Sequence, residues 1–308
     1  MRRVLFSPIL RVGRQTRVGR CTRLQKEALI MVDYGLDGKV AIVTGAAGSG
    51  AGGTGFAIAA KLAQQGAKVV MADIDPAGRR QSDELNAQGF DTTFAEFDLA
   101  QEETIVALIE GASERYGALD IVVNCGFMQL KEGYVHETDV EAWDRIFAVN
   151  MRGDFLMIHH SLPHLLKQGG AIVNVSSVAS LVGEDTTAAY ACCKAGINAL
   201  TRSVAVQYGD RGVRCNAVVP GSILNDRILA YAKTNESVQF QFDMLKRHAP
   251  LKRFGTADDV ANTVLFLVSP LACNITGQAV VCDGGYSICS GMWADIHEYR
   301  QDHPWDTM

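Results

Sequence analysis

The sequence predicts an α/β fold, a doubly wound parallel sheet of about seven strands with helices on both faces. Three observations carry that prediction. Short β-branched runs such as KVAIVTG, AKVVMADID and AIVNVSS are apolar almost throughout, as strands covered on both faces must be. Helical stretches separate these runs, so each strand returns to the sheet through a crossover. The first crossover opens on a glycine-rich turn, TGAAGSGAGGTGFAIA, that leads directly into a helix. Strand, glycine turn and helix in that order make a Rossmann-like, phosphate-binding start to the sheet.

The elements follow in sequence. KVAIVTG is the first strand and GFAIAAKLAQQG its helix; AKVVMADID is the second strand, with a helix near Ala77–Gln88. DTTFAEFDL and a helix near Glu102–Tyr116 come next, then ALDIVVNCG and a helix near Val140–Met151. After Gly169 and Gly170 follow AIVNVSS, the helix AAYACCKAGINALTRSVA, GVRCNAVVPG and finally QAVVCDGG. The more polar segment Asn225–His248 breaks the alternation and reads as an insertion over the sheet edge. The expected division is a basic extension at 1–33, one domain at 34–290 and a C-terminal extension at 291–308, with Trp293 and Trp305 in the last.

Composition narrows the function classes. The chain has 308 residues, 48% hydrophobic and 20% charged, as expected of a globular protein. No apolar run is long enough to span a bilayer. A net charge of −5 gives no general reason to expect a nucleic-acid partner. The charge is uneven, because residues 1–26 hold seven Arg and one Lys and no acid. That leader is either a tail ahead of a domain beginning near Met31, in a cytoplasmic protein, or an organellar (mitochondrial) transit peptide. Eight cysteines without a C-x-x-C pair suggest reduced thiols, with Cys192 and Cys193 as small packing residues. His159, His160 and His164 read as a solvated helix end interrupted by Pro163, so no metal is assigned.

Two places carry chemistry. In the glycine turn, two G-x-G-x-x-G frames overlap, at 48/50/53 and 50/52/55. Asp73 ends the second strand 18 residues after Gly55, near the spacing at which an acid meets an adenosine ribose. A carboxylate there accepts from a free 2′-hydroxyl and repels a 2′-phosphate, so NAD is expected over NADP. The second place is Tyr190 and Lys194, four residues apart on one helix face. A cation about 4 Å from a phenolate, at an effective dielectric near 20, favours the ionised form by about 4 kcal/mol. Such a pair is suited to moving a proton.

Together these residues resemble the short-chain dehydrogenase/reductase family in its single-domain form, over nearly all of residues 36–287. Thr44, Gly45, Gly53 and Gly55 resemble the family's T-G-x3-G-x-G, with seven residues instead of three between Gly45 and Gly53. Asp98, followed by Leu99, matches the acid before the adenine contact. Asn124 and Gly126 match the N-N-A-G strand end, whose first Asn is here Val123. Asn150, Ser177, Tyr190 and Lys194 match the catalytic tetrad; Ser177 is preferred to Ser176 because the family's serine precedes the tyrosine by thirteen residues. Pro220, Gly221 and Ile223 match the turn beside the nicotinamide, and Asn225 stands where the family has Thr.

The resemblance implies an NAD-dependent enzyme interconverting a secondary alcohol and a ketone, with Tyr190 as acid/base. Lys194 would favour the phenolate and hold the nicotinamide ribose, Ser177 would bond the substrate oxygen, and Asn150 would hold a water linking Lys194 to solvent. It also implies a homo-oligomer, a tetramer or dimer. The expected partner is a small alcohol or ketone, met by residues near Phe127–Leu130, Ala179–Thr187 and Asn225–His248; Glu184 and Asp185 read as a solvated loop, with contact to a polar or cationic substrate as the alternative. Two alternatives stand: a non-catalytic NAD(H)-binding sensor, and a sugar-nucleotide epimerase or dehydratase sharing Y-x-x-x-K.

Overall fold

The computed structural model describes residues 32–47, 53–224, 230 and 233–302. The basic leader, the middle of the glycine turn, part of the polar insertion and Trp305 lie outside them.

Seven strands form one parallel sheet. They are β1 (Val40–Thr44), β2 (Lys68–Asp73), β3 (Thr92–Glu96), β4 (Ile121–Asn124), β5 (Gly170–Val175), β6 (Val213–Pro220) and a last strand, Ala279–Cys282. The spatial order is β3-β2-β1-β4-β5-β6 and then that last strand, so β1 lies in the middle. The chain winds outward from β1 to β3, then returns to β4 on the other side of β1 and winds the opposite way. Such a reversal leaves a crevice at the carboxyl ends of the two central strands, because the flanking crossovers part there. Register is uninterrupted: Val40 to Thr44 pair in order with Lys68 to Ala72, and Ile121 to Asn124 with Ala171 to Asn174.

The continuous apolar runs explain the burial. All five residues of β1 and all four of β4 are buried. Alternate residues point to opposite faces. Ala41, Val43, Val69 and Met71 join one core with α1 (Thr54–Gln64), whereas Ile42, Val70, Val122 and Ile172 join the other with α3 (Glu102–Tyr116). Between α1 and α3, α2 (Ala77–Ala87) packs near β3. Glu102 and Glu103 complement the N-terminal dipole of α3, and Gly117, at φ 78°, ends it in the left-handed conformation that glycine adopts without strain.

One helical prediction needs correction. The helix near Val140–Met151 does not stop. It runs as α4 (Val140–Phe147), widens into a π-helical turn at Ala148–Gly153, and continues as α5 (Asp154–Leu165). Pro163 sits two positions before the end, where its missing N–H disturbs only the last turn. His160 and His164 are not a solvated end: His160 hydrogen-bonds Glu102 (3.0 Å), and His164 meets Ser113 (3.1 Å) and Glu110 (3.2 Å) of α3. They join two helices.

After β5, the long helix α6 (Ala188–Tyr208) buries a stripe of Ala189, Cys193, Ile197, Thr201 and Val204. Two short strands, β7 (Ile223–Leu224) and β8 (Gly255–Thr256), pair beyond β6. Between them lies α7 (Glu236–His248), and β8 runs into α8 (Ala257–Val268). The last sheet strand is β9 (Ala279–Cys282). The C-terminal extension forms α9 (Trp293–Asp302), held to α7 by Arg247, which pairs with Asp295 and with both oxygens of Glu298 (2.9 Å each). Among the described residues no helix is long and apolar enough to cross a membrane.

Candidate active site

A cleft of about 410 Å³ opens where the winding reverses, within the usual range for a bound small molecule. Its walls come from the carboxyl ends of the sheet strands. On one side stand Gly45, Gly53 to Gly55, Asp73, Ile74 and Phe97 to Leu99; on the other stand Cys125 to Met128, Val175 to Ser177, Tyr190, Lys194, Pro220, Gly221 and Ile223.

The floor is built by close backbone approach. Gly45 has φ 66°, and a Cβ there would lie 2.7 Å from Gly126 Cα. A Cβ on Gly55 would lie 2.1 Å from the Gly45 carbonyl oxygen, and one on Gly126 would lie 2.7 Å from Leu99 Cδ1. At Gly45 and Gly55 the neighbour is backbone, so only glycine fits there; at Gly126 the end of the Leu99 side chain would have to shift. Thr44 locks the arrangement, since its Oγ1 accepts the N–H groups of both Cys125 and Gly126 (3.0 Å each). The ends of β1 and β4 are thereby tied together. Gly53 starts α1 without a side-chain cap, and no acid stands in the first turn, so the helix presents unsatisfied N–H groups and its positive end. These features fit the pyrophosphate of a dinucleotide.

Asp73 is 8% exposed at the end of β2. One oxygen accepts the Ala47 N–H (2.8 Å) and the other the Asp75 N–H (3.0 Å). Each oxygen retains a lone pair for a further donor. Asp98 is arranged similarly, accepting from Ala100 N (2.9 Å) and Gln101 Nε2 (3.2 Å).

On the opposite wall, Tyr190 and Lys194 project from the first turns of α6. Lys194 is 2% exposed, and its Nζ donates to the Val175 carbonyl (2.7 Å) while lying 5.7 Å from the centre of the Tyr190 ring. Phe127 stands at the mouth, 58% exposed, with its ring 6.1 Å from that of Tyr190. Ser177 lines the cleft, and its Oγ accepts the Ala179 N–H (3.2 Å). Ser176 is buried and donates to the Lys194 carbonyl (3.1 Å), so it supports α6.

A glycine-floored crevice at the switch point with a Y-x-x-x-K helix opposite narrows the possibilities, and comparison with known proteins decides among them. Residues 45–287 match the family model described as enoyl-(acyl carrier protein) reductase. The solved structure of a short-chain type dehydrogenase/reductase from Mycobacterium ulcerans aligns at a TM-score of 0.76 and 28% identity, over 83% of this chain and 92% of that one. A cyclohexanol dehydrogenase of an Acinetobacter species is 36% identical over 81% of this chain and 95% of its own length. The chain belongs to the short-chain dehydrogenase/reductase family. A 2-(S)-hydroxypropyl-CoM dehydrogenase of Xanthobacter autotrophicus is likewise similar, at 38% identity over 81% of this chain and 97% of its own.

Against that family's pattern, the structure gathers most of the residues singled out by sequence. Gly45, Gly53, Gly55, Asp73, Asp98, Leu99, Gly126, Ser177, Tyr190, Lys194, Pro220, Gly221 and Ile223 all face the one cleft. Asn124 and Asn150 do not line it. Asn124 is buried between strands, donating to Asn174 Oδ1 (2.9 Å). Asn150, fully buried in the π turn, binds the backbone of Met128 twice, donating to its carbonyl and accepting its N–H at 2.7 Å each. Ala179–Thr187, with Glu184 and Asp185, also stand off the cleft wall. Gly48, Gly50, Gly52 and Asn225 lie outside the described residues.

Other residues were not legible beforehand. Glu132 is 7% exposed, and its carboxylate accepts the Ala189 N–H at 2.6 Å and the Tyr190 N–H at 3.4 Å. Asp154 is 1% exposed, with neither oxygen hydrogen-bonded. Burial pushes its carboxyl up to about 7, against the opposing pull of the Lys194 ammonium. Its signal in the sequence was an acid on the apolar stripe shared with Ile158 and Leu165. Cys192 is exposed, contrary to the packing role expected of it, while Cys193 is buried. Burial pushes the thiols of Cys125, Cys193 and Cys215 up to about 12, leaving them protonated and poorly nucleophilic.

Proposed function

We propose that this chain is an NAD-dependent dehydrogenase interconverting a secondary alcohol and its ketone. Nicotinamide, when bound, supplies the hydride acceptor or donor. The single observation supporting the reading is that Tyr190, Lys194 and Ser177 face the same cleft as the glycine floor and Asp73. Gly45, Gly53 and Gly55 would hold the pyrophosphate, Asp73 the adenosine ribose, Asp98 and Leu99 the adenine. Gly126, Pro220, Gly221 and Ile223 would flank the nicotinamide end.

In the oxidation direction Tyr190 Oη accepts the hydroxyl proton of the alcohol. The Lys194 ammonium, held by the Val175 carbonyl 5.7 Å from the centre of the Tyr190 ring, would hold the nicotinamide ribose beside the phenol. Ser177 Oγ donates to the substrate oxygen as alkoxide character develops. Asn150 acts at one remove, because its amide fixes Met128 on the cleft wall. Its part in proton escape would then fall to its backbone in the widened turn, not to its side chain.

Asp73 supports NAD over NADP, since its carboxylate can accept from ribose hydroxyls and would repel a phosphate. The test is an NAD-versus-NADP turnover panel over cyclic, steroid and sugar alcohols, hydroxyacyl thioesters and one enoyl thioester. Turnover of an alcohol, absent in Tyr190→Phe while NADH still binds, is the expected result. A Tyr190→Phe variant that keeps most of its activity refutes the assignment.

A further inference from the structure

The helix that carries Tyr190 begins without a cap of its own. Thr187 makes no side-chain hydrogen bond to it, and its first turn contains no acid. A helix N-terminus leaves four N–H groups without intrahelical partners, and an uncapped first turn frays. Fraying here would move the phenol, since Tyr190 is the third residue of α6. The missing acceptor comes from 57 residues upstream, where the buried Glu132 carboxylate receives the N–H groups of Ala189 and of Tyr190 itself.

Glu132 also joins two parts of the site. It stands in the loop between β4 and α4, four residues after Met128, which lines the cleft beside Phe127 and is clamped on both backbone groups by Asn150. The loop is therefore fastened at Met128 to the π turn and at Glu132 to the first turn of α6. We infer that Glu132 is a positioning residue for Tyr190: its carboxylate caps α6 from the loop and fixes the phenol relative to the substrate wall. The carboxylate touches neither substrate nor cofactor in this role. A buried carboxyl group without hydrogen-bond partners would be costly, and here two backbone N–H groups satisfy it.

The inference rests on the catalytic reading of Tyr190, so its test carries one measurement that turnover does not govern. In the full-length chain, Glu132→Ala is expected to lower kcat by about 10- to 100-fold, the scale of a misplaced reacting group. KM for NAD and NADH affinity by fluorescence titration should stay within about twofold, because the glycine floor is untouched. Glu132→Gln retains one acceptor oxygen and should recover part of kcat, whereas Glu132→Asp is too short to do so. Amide exchange in residues 188–194 should quicken in Glu132→Ala and remain slow in α1. Unchanged kcat and unchanged exchange in Glu132→Ala overturn the inference, as does equal loss of kcat and NADH affinity. If the parent chain turns over no substrate, the functional reading falls, and the exchange rates alone then decide whether Glu132 caps α6.

Discussion

Replacing Asp154 by Asn removes a charge from a site that gives it no hydrogen bond, and the effect should grow with pH. Both Asp154 oxygens are buried without a donor, and the carboxyl is pushed from 3.8 up to about 7. A folded-state value above the unfolded one means that the native protein binds the extra proton between those limits. Stability therefore falls as pH rises through that window and levels off above about 7. The full span is about three pH units, or about 4 kcal/mol at about 1.4 kcal/mol per unit. Over the practical range from about pH 5 to pH 8 the expected change is about 2–3 kcal/mol. Asn is close in size and does not titrate, so subtracting the variant's urea-unfolding free energy from the parent's isolates this one group. The difference should move steadily against the parent from acid to mildly alkaline buffer. A flat difference across the range would mean that Asp154 stays ionised in the fold, stabilised by Lys194 more strongly than burial opposes it.

Other perturbations follow from the same geometry. Gly45→Ala would place a Cβ 2.7 Å from Gly126 Cα at φ 66°, so Tm should drop and NADH affinity should weaken by about tenfold or more. A calorimetric scan and a titration unchanged from the parent would show slack in the turn. Asp73→Asn keeps an acceptor but removes the charge; the ratio of kcat/KM for NADP to that for NAD should rise by about tenfold, equivalent to about 1.4 kcal/mol. Thr256→Ala breaks the capping box with Asp259 at the start of α8 and should cost about 1 kcal/mol of stability without altering turnover.

The fold was readable because its inner strands are buried almost throughout, while the edge strands β3 and β9 are half-exposed. Seven short runs became seven strands, and the glycine turn marked which one lies at the centre of the sheet. The continuation of α4 into α5 was hidden because Arg152, Gly153 and Asp154 read as a break after Met151, whereas the chain widens there into a π turn and goes on as α5. In the site, Tyr190 and Lys194 were legible because four residues on a helix set their relation locally. Asn124 was not correctly placed by motif, because strand alternation turns its side chain toward Asn174 and away from the cleft. Glu132 carried no local signal at all: its partners are Ala189 and Tyr190, and only the closing of the sheet brings them together. Thr44 was legible as a motif letter, but its hold on Cys125 and Gly126 depends on β1 and β4 being neighbours.

The distribution of sulfur has a practical outcome. Cys192 sits on the outer side of α6, exposed and two residues from Tyr190, whereas Cys125 and Cys193 are enclosed and protonated. Among the described cysteines, a maleimide dye applied near neutrality should therefore attach most readily to the back of the tyrosine-bearing helix and to the exposed Cys273, sparing the groove's own thiol. With Cys21, Cys273, Cys282 and Cys289 changed to Ser, a single fluorophore would report motion of that helix from its far side while ligands enter at the front.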